Sequence, residues 1–145
     1  MVQLIQWTES FAVGHQGLDA EHRHIVQIIN DLCTAVHTSD GRLHELLKSL
    51  RPVTIEHLRN ENAILWELRQ GTYQALQGQT RSSTLVKAMA AAAFDEHVAE
   101  HGNLVGQFDK IRALPPAILC ETLQAWFVDH AIKYDAHLKA NFQAM

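Results

Sequence analysis

Apolar positions along this chain recur at three- and four-residue intervals in four separate stretches, the period of one buried helix face. Ile25, Ile29, Leu32 and Val36 form the first stripe, which predicts a helix capped at Asp19 and ending near His37. After the turn-forming run TSDGR the second stripe takes in Leu43, Leu46, Leu47, Leu50, Thr54, Leu65 and Leu68, predicting a helix to Gly71 with Pro52 inside it. The third begins near Ser83 with Leu85, Met89 and Ala93, continues through Leu104, Phe108 and Ile111, and stops before Pro115-Pro116. Leu119, Leu123, Trp126, Phe127, Tyr134 and Leu138 make the fourth. No strand-like alternation is present, so the expected fold is all-α, an up-down-up-down antiparallel four-helix bundle. Residues 1–17, with Trp7, Phe11 and Gly14, lack helical period and read as an N-terminal arm across the bundle.

Lengths constrain the connections. Counted from the histidine positions described below, the first and third turns close at one height, because equal residue counts mean equal rises along antiparallel helices. The other end is uneven, and a third helix starting at Ser83 overhangs the second. The polar stretch GTYQALQGQTRSS therefore predicts a long connection over about 71–83, either an output surface or an insertion of no consequence, since long loops cost little.

At 145 residues and 47% hydrophobic, the chain fits a single domain, 1–145, with enough apolar content for its own core. A net charge of -4 supplies no basic stripe, which argues against nucleic acid as a partner. No apolar run reaches a membrane span and no leader-like segment opens the chain, so no membrane insertion and a cytoplasmic location are expected. Cys33 and Cys120 are too few for a disulfide framework, which fits a reducing compartment. They lie 11 residues after His22 and 10 before His130, thus at the same end of the bundle. Two buried apolar thiols are the expectation and a redox pair the alternative, which a Cα separation above about 7 Å would exclude.

The chemistry lies on the inward stripes. His22, His57 with Glu61, His97 with His101, and His130 with Asp135 place five imidazoles and two carboxylates on four helices at matched heights. A histidine and a second ligand four residues apart project from one face, about 6 Å apart along the axis. A single pair is common; two pairs with partners on the other helices predict two adjacent metal ions, since five unrelated buried histidines would strand several polar groups. Imidazole with carboxylate favours iron, with manganese, zinc or cobalt as alternatives, and two carboxylates are too few for a glutamate-rich ferritin-like shell. The step from His130 to Asp135 spans about 140° on an ideal helix, so irregular hydrogen bonding is expected between residues 129 and 136. His15, His24, His37, His44 and His137 are read as surface or hydrogen-bonded residues outside the ligand set, with His24 facing solvent and His137 a candidate supporting residue beneath the site.

Four segments, LDAEH at 18–22, HLRNE at 57–61, HVAEH at 97–101 and WFVDHAIKYD at 126–135, together with Trp7 and the Val13-Gly14 step, resemble a hemerythrin domain of the bacterial hemerythrin-like group. The resemblance spans almost the whole chain. It implies two iron ions bridged by an oxo or hydroxo group and by Glu61 and Asp135, with His97, His101 and His130 on one iron. His22 and His57 hold the other, which keeps an open position for dioxygen, nitric oxide or an azide-like anion. The family's ligand pocket maps onto Leu58, Trp126, Phe127 and Ala131. Leu58 replaces the usual Phe and Ala131 the usual Ile, which opens the pocket to water and predicts fast oxidation. Oxygen or redox sensing, not storage and not an enzymatic activity, is therefore the expected function. A free oxygen carrier, or a di-iron enzyme turning over peroxide or nitric oxide or repairing iron centres, is the alternative. The family occurs both as free domains and as modules fused to signalling proteins, and a chain ending ten residues after Asp135 suits either.

Overall fold

Helix formers dominate every stretch between the turns, and the computed structural model is helical accordingly. It describes residues 3–38, 41–76 and 81–133, with side chains over 3–38, 41–67 and 92–132. A short 3-10 turn, Glu9–Phe11, precedes α1 (Gln16–Thr38), α2 (Leu43–Leu76), α3 (Arg81–Ile111) and α4 (Pro116–Lys133). Among the described residues no strand occurs. The helices pack as a ring, α1 on α2, α2 on α3, α3 on α4 and α4 on α1, the neighbour pattern of the expected bundle.

The apolar stripes converge on a core that includes Ile25, Ile29, Leu32, Leu50, Leu58, Leu104, Phe108, Leu119, Leu123, Phe127 and Ala131. A second, smaller cluster joins Val13, Leu18, Leu65 and Phe94. These two clusters lie on opposite sides of the histidine positions along the helices, so the layer of polar side chains between them is shielded from water at both ends. On α3 the buried position is Phe94 and Ala93 is exposed, one residue off the expected stripe. The side chains of Leu68, Leu85 and Met89 lie outside the described residues.

Three expectations need correction. The connection predicted over 71–83 is largely helix: α2 continues to Leu76 and α3 begins at Arg81. Gly71 costs a helix only about 1 kcal/mol relative to alanine, too little to stop one whose neighbours carry it on. The overhang disappears with it, since α2 runs 15 residues past Glu61 and α3 starts 16 before His97. Asp19 does not cap α1, which begins three residues earlier; the ring Nδ1 of His15 accepts the Leu18 N–H at 3.2 Å instead. The Asp19 carboxylate turns outward and accepts from Val13 N at 2.7 Å and Gly14 N at 3.3 Å, tying the arm to the helix. Gly14 sits at φ 91, a backbone state that a side chain disfavours, and this lets the chain double back into α1.

The third correction concerns the cysteines. Cys33 on α1 and Cys120 on α4 form a disulfide, with Cα atoms 5.2 Å apart. Their equal heights were legible from residue counts, but the angular alignment that brings two sulfurs together depends on helix rotation. The pairing removes the argument from free thiols to a reducing compartment, because such bonds persist mainly in oxidising surroundings. None of the described helices is long and apolar enough to cross a membrane.

Pro52 lies inside α2 on its exposed side, and the helix passes through it unbroken. The arm is pinned by Asn30, whose side chain accepts the Ile5 N–H at 2.9 Å and donates to the Ile5 carbonyl at 3.0 Å. The Trp7 ring then packs tilted on Phe11, with centroids 5.7 Å apart, and Phe11 packs likewise on Phe127 at 6.0 Å.

Candidate metal centre

Glu61 organises the centre of the bundle. Its side chain is fully buried, with no water to solvate an ionised carboxylate, so its charge must be met by protein groups or by a cation. Each oxygen faces a different set of histidines. Oε1 lies 2.8 Å from His97 Nε2, 3.0 Å from His101 Nε2 and 4.0 Å from His130 Nε2. Oε2 lies 3.1 Å from His57 Nε2 and 3.7 Å from His22 Nε2, and those two nitrogens are 3.0 Å apart. In each set, the ligand atoms fall within 4.8 Å of one another, and Glu61 belongs to both.

Six of the seven expected ligands, His22, His57, Glu61, His97, His101 and His130, are thus brought together, all of them buried. Asp135 lies outside the described residues, as do Tyr134 and His137; of the segment expected to show irregular helical bonding, residues 129–133 are regular α-helix, contrary to that expectation, and 134–136 lie outside the described residues. Of the remaining histidines, His24 is exposed as expected, His37 and His44 are exposed as well, and His15 is half-buried in its capping role.

The outward ring nitrogens explain why the inward ones can bind a cation. His22 Nδ1 faces the Phe11 carbonyl at 3.2 Å, His57 Nδ1 faces Glu21 Oε1 at 2.7 Å, and His101 Nδ1 faces Asn62 Oδ1 at 2.6 Å. All three partners are acceptors, so Nδ1 carries the proton and donates it. In the neutral ring the Nε2 lone pair then points into the centre. Sequence reading missed these partners. Glu21 and Asn62 lie beside ligands in the chain, not at stripe positions, and the Phe11 carbonyl carries no side-chain signal at all.

Charge states follow from the same contacts. Burial alone would raise the Glu61 carboxyl, yet in the metal-free protein the rings of His101, His22, His57 and His97, which donate to it from Nε2 when protonated, outweigh burial and hold the group well below the glutamate value of 4.5. His57 loses by burial but gains more from the two carboxylates at its nitrogens, Glu21 and Glu61, and is raised above 6.5. His101 also touches Glu61, yet its other partner is a neutral amide, so burial prevails and lowers it below 6.5. Glu21, half-exposed, is lowered: the hydrogen bonds from His57 and Asn60 override the opposing effect of burial.

These directions fix a pH dependence for the metal-free protein. A carboxylate lowered in the folded state contributes stability above its unfolded value and loses it as pH falls through the folded one. Glu61 and Glu21 therefore withdraw support below pH 4.5. The His101 contribution, present above 6.5, is lost earlier in acid, and His57 acts oppositely, losing its contribution as pH rises above 6.5. Thermal unfolding of metal-free protein should show Tm falling as pH drops below 4.5, and a Tm that stays level as acid is added below that point would contradict the assignment.

The donor set fits a pair of first-row divalent or trivalent ions. Imidazole and carboxylate suit iron, manganese, zinc and cobalt, and one carboxylate whose two oxygens face separate histidine sets has bridging geometry. The four expected pocket residues, Leu58, Trp126, Phe127 and Ala131, are buried in the adjoining apolar cluster. Phe127 meets His22 edge-on at 5.8 Å, and the Trp126 indole donates to the Leu104 carbonyl at 3.0 Å, which fixes its orientation. A groove of about 380 Å³ between α2 and α3 runs past Leu58, Val98 and Gly102 to His101. Another of about 470 Å³ between α3 and α4 reaches His130 past Trp126.

Two buried histidine clusters sharing a glutamate on a four-helix bundle agree with the comparison to known families. Residues 13–140 match the model of the hemerythrin HHE cation binding domain, and the chain belongs to that family.

Proposed function

We propose that this domain binds two iron ions and uses them to detect dioxygen or the cellular redox state. The observation that carries this reading is the split of five imidazoles by one carboxylate, three on Oε1 and two on Oε2. His97, His101 and His130 would hold one iron, His22 and His57 the other, with Glu61 bridging. Asp135 is proposed as a second bridging carboxylate and an oxo or hydroxo group as the remaining link. When bound, the iron pair supplies a reversible centre for dioxygen and for two electrons. The two-histidine position, having fewer protein ligands, is the one left open to dioxygen, nitric oxide or a small anion.

The chain's own residues then decide how long a bound ligand is protected. Leu58, Phe127 and Ala131 present hydrocarbon to the centre, and hydrocarbon walls give no proton to a developing negative charge. Among the described residues, the buried polar side chains are the six ligands and Thr54, so no further buried acid is aimed inward. This supports ligand binding over turnover of peroxide or nitric oxide. Leu58 and Ala131 are smaller than the Phe and Ile usual in the family, and the two grooves that end at His101 and His130 offer water a short path to the three-histidine side of the centre. Water access favours oxidation over storage, which supports sensing. A signalling domain, fused or associated, would receive the output.

Stopped-flow absorption tests the reading directly. Iron-loaded, reduced protein mixed with aerated buffer should convert quickly to a stable oxidised spectrum. An oxygenated spectrum persisting for hours would establish a carrier instead, and catalytic consumption of peroxide or nitric oxide would establish an enzyme.

A further inference from the structure

The two histidine sets are not supported alike. On ligand count the His22–His57 position is the poorer, with two imidazoles against three. Yet the outer nitrogen of His57 donates to a carboxylate, Glu21 Oε1 at 2.7 Å. His101 donates to the neutral Asn62 amide at 2.6 Å and His22 to a main-chain carbonyl at 3.2 Å. The second Glu21 oxygen is held by Asn60 Nδ2 at 2.7 Å, so the carboxylate is fixed at both ends, between α1 and α2.

We propose that Glu21, held by Asn60, is a positioning residue that strengthens the two-histidine metal position and offsets its missing third imidazole. The inference rests on the metal-centre reading above. Its physical basis is that a hydrogen bond to a charged acceptor is roughly twice as strong as one to a neutral acceptor. A carboxylate pulls the Nδ1 proton toward itself, pushes electron density to Nε2 and makes that nitrogen a better donor to a cation. It also fixes the ring plane, so that Nε2 stays aimed at the position shared with His22. Both effects act on His57, and so on the two-histidine set.

The bland alternative is that Glu21 only clamps two helices together. Glu21→Gln separates the two. The glutamine carbonyl still accepts from His57, and the Asn60 amide can turn to accept from the glutamine NH2, so both bridging hydrogen bonds survive while the charge is lost. Zinc titration of the metal-free full chain is the readout, paired with 15N NMR of the histidine rings and a thermal scan. The wild type should take up two zinc ions. Glu21→Gln should keep the first at unchanged affinity and bind the second about 10- to 100-fold more weakly. Its His57 Nδ1–H resonance should move upfield, while the metal-free protein keeps its fold with only a small drop in Tm. Asn60→Ala, which leaves the charge and loosens its hold, should weaken the second site less.

Unchanged zinc binding in Glu21→Gln, equal weakening of both sites, or a fall in metal-free Tm that accounts for the lost affinity would overturn the proposal alone. A wild type that binds no zinc would overturn the metal-centre reading, and this inference with it.

Discussion

Replacing Glu61 with alanine is expected to empty both metal positions together, whereas replacing His57 or His101 should mainly empty one. The difference follows from placement. Among the described residues Glu61 is the one common to both ligand sets, and it supplies charge at the layer where they meet. Without it the two ions would lose a shared negative charge, and their mutual repulsion in a water-poor interior would be offset far less well. Metal analysis of iron- or zinc-loaded protein should therefore fall from about two ions per chain to well under one for Glu61→Ala. His57→Ala should retain about one, held by His97, His101 and His130.

The fold should survive the change. Removing one member of a buried charged pair often costs about 3–5 kcal/mol, because the other charge is left stranded. Here the partners are histidines, which can shed their protons and become neutral, so the cost should be nearer that of unpaired buried donors, about 1–3 kcal/mol. Circular dichroism of metal-free Glu61→Ala should show full helix content with a modestly lower Tm. Two ions retained per chain in that variant would refute the bridging role.

The site was more legible than its surroundings, and the reason is geometric. A helix converts spacing into direction, so His57 with Glu61 and His97 with His101 announce a shared face before any coordinates exist. Support for those ligands obeys no such rule. Glu21 points sideways from α1 to a residue 36 positions away, and Asn62 to one 39 positions away, so both depend on how neighbouring helices are rotated. The helix boundaries failed differently. Gly71 is a weak stop signal because its cost is small beside the packing of a long helix, and the Asp19 carboxylate found better donors in the arm than in its own helix. The cysteines show both limits at once. Their common height could be counted, but whether Sγ met Sγ or hydrocarbon was a matter of azimuth.

That disulfide carries the second large expectation. Cys33 and Cys120 are separated by 87 residues, so the bond closes a loop containing all of α2 and α3. A cross-link over a loop this long removes much of the freedom of the unfolded chain, worth about 4–5 kcal/mol on the chain-entropy estimate and commonly about 2–4 in practice. For a domain of this size that corresponds to a Tm lowered by roughly 10 °C when the bond is absent. Cys33→Ala with Cys120→Ala, or the wild type scanned with a dithiol reductant, should show this loss in metal-free protein. The cysteine pair also lies where the arm is fastened, since Gln124 Nε2 donates to the Gln3 carbonyl at 2.7 Å and reaches Cys33 Sγ at 3.7 Å. Metal uptake, in contrast, should be unaffected, because the ligands sit about three turns farther along α1 and α4. A double variant melting within about 2 °C of the wild type would mean that the bond forms without constraining the unfolded chain. A variant that loses iron while keeping its Tm would mean that the far end of the bundle sets the geometry of the centre, contrary to the independence argued from distance.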